Sequence, residues 1–364
     1  MANLDDYRAK IDEIDKELIK LFEERMNTAY LIGKYKEEHN LPVLNSNREK
    51  IVIENAAKNL NDKNLSSYTA DFFENMMRIS KQYQSDNSKK SAKIAFFGTE
   101  GSFTYEAALE YAKKLPGFST IAYDTAEGVF RALLNDDADV AVIPFENSTT
   151  GAVTDVYDLL LRYDFFITDE IVLKVSQHLM AKKGVKVEDI KTVYSHPQAI
   201  SQCKKYLDDK NITAIPSINT AISAKEVSES DKNDIAAIAS ESAAKIYNLD
   251  IIAGNINTEL NNYTKFIVLS KREKFGEDND KISAVISIDH KSGMLYNVIK
   301  VFKDNNINLT KIESRPDHKN PFEYLFFVDF DGNISDKKIT ETINELKSKV
   351  KSFKYLGNYK GVNM

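Results

Sequence analysis

Arg25 places a guanidinium on an otherwise apolar helical stripe. Leu4, Tyr7, Ile11, Ile14, Leu18 and Leu21 recur at alternating spacings of three and four, the seam of a long amphipathic helix. Continuing the count lands on Arg25 and Thr28 before Ile32 and Tyr35 resume the seam. A charge there is costly unless an anion meets it; a helix end or snorkelling to water is the other reading. Lys36 lies on the same face, roughly 16 Å further along the axis, so the two cations can grip one small dianion. Arg8 is roughly 42 Å from Lys36 on a straight helix. It can join that site only from a second chain packed antiparallel. A second set of groups is uncharged. The segments Pro144–Gly151, Ser195–Gln198 and Asn261–Phe266 are rich in amides and hydroxyls and flank short apolar runs. Such donors can steady an oxygen on which negative charge develops without a strong acid or base.

Composition narrows the chemistry. The chain has 364 residues, 42% hydrophobic and 29% charged, with a formal net charge of −6. That balance argues against non-specific nucleic-acid or membrane-surface binding. No apolar run approaches the roughly 18 residues of a membrane span, and the start Asn3-Leu4-Asp5-Asp6 is no signal peptide. Cys203 is the only cysteine, so no intrachain disulfide forms, which fits a reducing cytoplasm. The five histidines (His39, His178, His196, His290 and His318) show no metal-ligand spacing. His196 before Pro197 reads as a turn residue and Cys203 as a small packing residue.

The elements that must position these groups fall into three regions. Residues 1–85 read as all helix. The first helix runs from Leu4 to about His39 and ends before Leu41-Pro42. Asn45, Ser46 and Asn47 offer caps to a second that begins near Arg48, and a third follows Ser66 with Phe73, Met77, Ser80 and Gln84 on one face. Residues 86–92 read as a polar linker. From 93 to 271, buried strands such as Ile94–Phe97, Val140–Ile143, Thr192–Tyr194 and Ile235–Ile238 alternate with helices, predicting a largely parallel α/β sheet. Ligands in such sheets bind beyond the carboxyl ends of the strands. Residues 281–364, after a charged joint, follow the ferredoxin-like order βαββαβ.

The segment from Arg8 through Lys36, then Arg48-Glu49, then Ser80 and Gln84, resembles the all-helical chorismate mutases. The resemblance implies an intertwined helical dimer. In it Arg8 of the partner, Arg25 and Arg48 hold the two carboxylates of chorismate, Lys36 and Gln84 donate to the ether oxygen, Glu49 takes the ring hydroxyl and Ser80 assists at a carboxylate. Asn45 stands where some relatives have an aspartate, at a position that contacts substrate. A Claisen rearrangement needs only a compact conformer and donors where charge develops.

The second region has no Walker loop and no G-x-G-x-x-G. It resembles the two-lobed prephenate dehydratases over nearly its whole length. That implies Thr264 as proton donor to the departing hydroxyl, with Asn147, Ser195 and Gln202 assisting and Ser102, Glu146, Thr149, Lys265 and Phe266 binding substrate. The family's Thr-Arg-Phe reads Thr264-Lys265-Phe266 here, and lysine keeps the charge but loses the planar fork. Ser292-Gly293-Met294-Leu295 and Glu313-Ser314-Arg315-Pro316 resemble the two effector motifs of ACT domains. The resemblance implies phenylalanine held by Gly293, Met294, Leu295, Glu313, Ser314, Arg315 and Pro316 between paired domains; the first motif usually reads Gly-Ala-Leu.

The expectation is a bifunctional chorismate mutase and prephenate dehydratase of phenylalanine biosynthesis. It needs no cofactor or metal, is a homodimer or homotetramer, and is inhibited by phenylalanine through its ACT domain. The competing reading is a two-lobed ligand-binding sensor with a non-catalytic helical dimerisation domain. A fusion to prephenate dehydrogenase lacks a dinucleotide fingerprint after Ile94–Phe97.

Overall fold

The computed structural model describes residues 3–39, 46–86, 91–259, 261–317, 320 and 322–362. The chain divides into two compact units, Met1–Lys90 and Ser91–Met364.

The first unit is helical. α1 spans Leu4–Glu38, α2 Ser46–Lys58 and α3 Ser66–Asp86. Asn3 caps α1: its Oδ1 accepts from the amides of Asp5 and Asp6 at 2.9 Å each, and Asp6 returns a bond to the Asn3 amide at 2.8 Å. This reciprocal cap fixes the helix start where the apolar seam begins. α2 starts at Ser46, ahead of the expected Arg48, so Ser46 and Asn47 lie in its first turn. α3 packs on both other helices. Met26, Ala29 and Ser80 are buried, while the seam residues Leu4 (63% exposed) and Leu21 (60%) stay open. A single copy therefore leaves most of its longest apolar stripe in water.

In the second unit, β1 (Ala92–Phe97), α4 (Phe103–Ala112), β2 (Phe118–Tyr123), α5 (Ala126–Leu134), β3 (Val140–Asn147), the short β4 (Gly151–Ala152), α6 (Thr154–Arg162) and β5 (Phe166–Lys174) build one lobe. The chain then crosses to a second lobe: β6 (His178–Ala181), β7 (Thr192–Ser195), α7 (Pro197–Gln202), α8 (Lys204–Lys210), β8 (Thr213–Pro216), α9 (Thr220–Glu229), β9 (Ile235–Ala239), α10 (Glu241–Ile246) and β10 (Asp250–Ala253). β11 (Tyr263–Ser270) returns to the first. The sheets run β2-β1-β3-β11-β5 and β10-β6-β9-β7-β8. Each keeps a parallel core, but β11 inserts antiparallel between β3 and β5, and β6 pairs antiparallel with β9 and β10. The region is thus two-lobed, as expected, but its sheets are mixed where the alternation predicts a largely parallel one. Hydrophobic periodicity marks a strand without giving its direction.

The last region forms β12 (Lys281–Ser287), α11 (Met294–Asp304), β13 (Leu309–Pro316), β14 (Tyr324–Asp331), α12 (Lys337–Lys349) and β15 (Ser352–Tyr359). Its antiparallel sheet runs β13-β14-β12-β15, the expected ferredoxin-like arrangement. Ile282, Ala284, Ile286, Val328 and Phe330 pack beneath α11 and α12. The opposite face presents Val285, Phe327, Leu356 and Tyr359 to the core of the first lobe. Gly357, at φ +148°, permits this docking, because a Cβ there would lie 2.2 Å from the Ile167 carbonyl oxygen of β5. Gly357→Ala is expected to destabilise this unit by about 3 kcal/mol through overpacking and backbone strain. An unchanged melting temperature for its transition would contradict the docking.

Candidate functional site

In the helical unit, α1 and α3 bring Arg25 and Ser80 together. The Arg25 guanidinium donates to Ser80 Oγ and, at 3.5 Å, to the Met76 carbonyl oxygen; Ser80 Oγ donates to the same carbonyl at 2.7 Å. Partial burial lowers the Arg25 pKa below its ordinary value, as expected of a cation withdrawn from water. Lys36 is half-buried on the same helix. Arg8 is exposed near the far end and pairs with Asp5 at 3.3 Å. The side chains of Arg48, Glu49 and Gln84, and Asn45 as a whole, lie outside the described residues.

The second unit centres on Asn147 and Thr264, placed side by side by the β3–β11 register. Asn147 Oδ1 accepts from the backbone amides of Thr149 and Thr150, both at 3.0 Å, and from their hydroxyls at 2.6 and 3.2 Å. Backbone amides can only donate, so they fix which end of the Asn147 amide is oxygen. Its Nδ2 then shares its two hydrogens among three acceptors, Asn262 Oδ1 at 2.7 Å, Thr264 Oγ1 at 2.9 Å and the Tyr263 carbonyl at 3.1 Å. Thr264 Oγ1 is thereby an acceptor toward Asn147, and its own hydrogen is left to be donated. Asn147 and Thr264 are buried, which strengthens each of these bonds relative to water.

A cavity of about 530 Å³ opens beside this pair, lined by Thr149, Gln202, Asn262, Thr258, Lys204 and Lys205 among others. Gln202 Oε1 accepts from Gln177 Nε2 at 3.3 Å, and Gln198 Nε2 donates to Thr150 Oγ1 at 3.1 Å across the two lobes. Ser195 ends β7 fully buried, with its hydroxyl committed to the Ile238 carbonyl at 2.6 Å. On the other side of the lobes, Ser240 Oγ donates to the Gly101 carbonyl at 2.7 Å, and a Cβ on Gly101 would meet Ala243 Cα at 3.0 Å.

The five expected substrate contacts of this region are placed differently from one another. Thr149 lies on the cavity wall. Ser102 caps α4, accepting from the Tyr105 amide at 3.2 Å. Phe266 is 1% exposed in the core with Ile94, Phe96, Val142 and Val268, so it is packing and not a substrate contact. Glu146 and Lys265 turn away from the cleft. Lys265 pairs with Glu146, but Phe266 pairs with Pro144, leaving Phe145 as an extra residue on β3. This bulge shifts the alternation, so Asn147 joins Thr264 on one face and Glu146 joins Lys265 on the other.

That other face meets the ACT-like sheet. Glu146 Oε2 lies 3.6 Å from Lys265 Nζ and 2.8 Å from Lys311 Nζ of β13. Burial alone raises the Glu146 pKa, but Lys311 and then Lys265 outweigh it and hold the carboxyl below its ordinary value. Lys311 also donates to the Tyr157 hydroxyl at 2.5 Å and sits over the Phe145 ring at 4.6 Å. Lys311 is not legible in the sequence as a functional residue, because nothing local to β13 distinguishes it from other strand lysines.

The remaining expectations are structural. The His196 ring accepts from the Gln198 amide at 3.2 Å as the cap of α7. Cys203 is fully buried, and burial pushes its thiol up to about 12. Gly293, Met294 and Leu295 line a cavity of about 520 Å³ with His290, Glu323 and Phe326. Gly293 caps α11 at φ +80° with no side-chain cap bond, so nothing from its own side chain covers the amides of the first turn. Glu313 to Pro316 lie on the edge strand β13 and do not line that cavity. No group of three or more metal-ligating side chains occurs among the described residues, and none of the described helices is long and apolar enough to cross a membrane.

A helical module with a half-buried cation, a two-lobed α/β module with an amide–hydroxyl cleft, and a docked βαββαβ module define a multifunctional enzyme with a regulatory module attached. The comparisons agree module by module. Residues 7–85 match the family of chorismate mutase type II, 94–274 that of prephenate dehydratase and 283–348 the ACT domain. The bifunctional chorismate mutase/prephenate dehydratase of Aquifex aeolicus is 35% identical over 99% of this chain and 98% of its own length. An arogenate dehydratase/prephenate dehydratase of Arabidopsis thaliana is 37% identical over 76% of this chain and 74% of its own. The solved prephenate dehydratase of Arthrobacter aurescens, in complex with L-Phe, superposes with a TM-score of 0.67 at 28% identity, covering 75% of this chain and 92% of that one. The chain belongs to the family of bifunctional chorismate mutase/prephenate dehydratases that carry an ACT domain.

Proposed function

We propose that residues 1–85 rearrange chorismate to prephenate, that residues 93–271 convert prephenate to phenylpyruvate, and that residues 281–364 sense phenylalanine. The observation that carries the dehydratase reading is the orientation of Asn147, which leaves the Thr264 hydroxyl hydrogen available to a ligand. As the ring C–O bond breaks, Thr264 gives its proton to the departing hydroxyl, which leaves as water. The electron pair of the C–carboxylate bond enters the ring as carbon dioxide departs, and solvent returns a proton to Thr264. Aromatisation supplies most of the driving force, so a modest donor in a partly dry site suffices. Gln202 and Thr149 line the ligand space, whereas Ser195 holds β7 to β9 and supports the cleft indirectly. The purified chain, given prephenate alone, should form phenylpyruvate and carbon dioxide above the uncatalysed rate; binding without turnover would favour the sensor reading.

In the mutase, Arg25 with Ser80, Lys36, and Arg48, Glu49 and Gln84 from the resemblance form one site, with Asn45 beside it. Arg8 enters from a second subunit. The open seam along α1 supports a dimer built by antiparallel pairing of that helix, which the ACT modules can extend to a tetramer. The enzyme works in the cytoplasm; its single cysteine is buried.

Phenylalanine binds through the α11 N-terminus at Gly293, where its carboxylate meets the first amides of an eleven-residue helix. Met294 and Leu295 frame the ring, and Glu313, Ser314, Arg315 and Pro316 come from the neighbouring module. Within one chain, Lys311 ties the ACT-like module to Glu146, next in sequence to Asn147. Lys311→Met is expected to raise the half-inhibitory phenylalanine concentration by about fivefold or more, with the mutase rate unchanged. Unaltered inhibition would place the coupling elsewhere.

A further inference from the structure

Asn262 is 1% exposed, lies between the lobes and lines the cavity beside Thr264. Its amide orientation is fixed by the same hydrogen bonds that orient Asn147. The backbone amides of Thr149 and Thr150 make Asn147 Oδ1 an acceptor, so Asn147 Nδ2 donates, and the Asn262 atom 2.7 Å away must be oxygen. Asn262 Nδ2 therefore points the other way, and it is buried without a hydrogen-bond partner among the described residues. A buried amide donor left unpaired is destabilising and uncommon. The cavity that Asn262 lines also contains Gln202 and Thr149, and its wall carries Lys204 and Lys205 together with Asp208, Asp209 and Glu259, so uncharged donors such as the Asn262 amide, more than net charge, must recognise a ligand there. The cleft has a further reason to need such a donor. Lys265, the cation of the Thr-Lys-Phe motif, is engaged with Glu146 on the opposite face of the sheet.

We propose that Asn262 is a substrate-binding residue of the dehydratase, its Nδ2 donating to a carboxylate oxygen of the dicarboxylate substrate while its Oδ1 holds Asn147. This rests on the dehydratase reading of the Thr264 cleft and adds to it. One amide then serves two ends: toward Asn147 it keeps the Thr264 hydroxyl oriented, and toward the cavity it supplies the hydrogen bond that Lys265 does not.

Asn262→Asp separates these roles, because the carboxylate retains an acceptor for Asn147 but presents an anionic oxygen to the substrate. In the full-length chain, the KM for prephenate should rise by at least about tenfold, the loss expected when a hydrogen bond to a charged group is removed. The fall in kcat should be smaller, with chorismate rearrangement and the melting temperature near wild type. Asn262→Ala should raise KM and also lower kcat, since it releases Asn147. If Asn262→Asp lowers kcat with KM unchanged, Asn262 acts only through Asn147 and the proposal is overturned. It is likewise overturned if both variants keep the wild-type KM, or if both lose the folded transition while the KM of the residual activity is unaltered. A wild-type chain inactive on prephenate would instead refute the dehydratase reading itself.

Discussion

Thr264→Val is expected to lower the rate of phenylpyruvate formation by about a thousandfold and to leave chorismate rearrangement intact, so that prephenate accumulates. Valine matches threonine in shape, and the side chain it replaces is only one of three acceptors facing Asn147 Nδ2. Asn147 keeps its bonds to Asn262 and the Tyr263 carbonyl, so the cleft holds its form while the transferable proton is gone. Thr264→Ser, which restores a hydroxyl, should recover much of the rate. Chromatography of the products from chorismate reports both steps at once. Loss of both activities would indicate misfolding, and continued dehydration by the valine variant would mean that another group supplies the proton.

The second large effect concerns two subunits. Arg8→Ala and Arg25→Ala should each lower mutase turnover by about a hundredfold or more, because each removes a charged partner of a substrate carboxylate. Arg8 and Arg25 are 17 positions apart on α1, roughly 25 Å along the axis, too far for one chain to place both on the same small molecule. In a two-fold dimer, a mixed pair of the variants assembles one site with both arginines intact. After complete exchange, about a quarter of the wild-type activity should return, since half the dimers are mixed and each restores one of two sites. Restoration is measured as mutase rate against mixing ratio, with exchange followed independently by mass. No recovery despite exchange would contradict a shared site.

Much of this architecture is legible in the residue pattern, and what is not has specific physical causes. The α1 seam, the strands of the α/β module and the βαββαβ order follow from periodicity, and Arg25 stands out because it breaks that periodicity. The insertion of β11 between β3 and β5 is not legible, because a buried strand reads the same in either direction. Assigning Glu146 and Lys265 to the cleft fails for a finer reason: one extra residue at Phe145 reverses which neighbours face the substrate. Phe266 fails because a motif aromatic and a core aromatic share one composition. Asn262 lies within the donor-rich segment Asn261–Phe266, but only the hydrogen-bond directions distinguish it from Asn261. Lys311 is distant in sequence from every group it touches, so only the docked sheet reveals it.

If one chain performs two successive reactions at separate sites, the product time course from chorismate reveals it. Wild-type protein should consume chorismate, show prephenate only as a passing intermediate, and end in phenylpyruvate. A course that stops at prephenate, or in which chorismate is not consumed, would contradict the account.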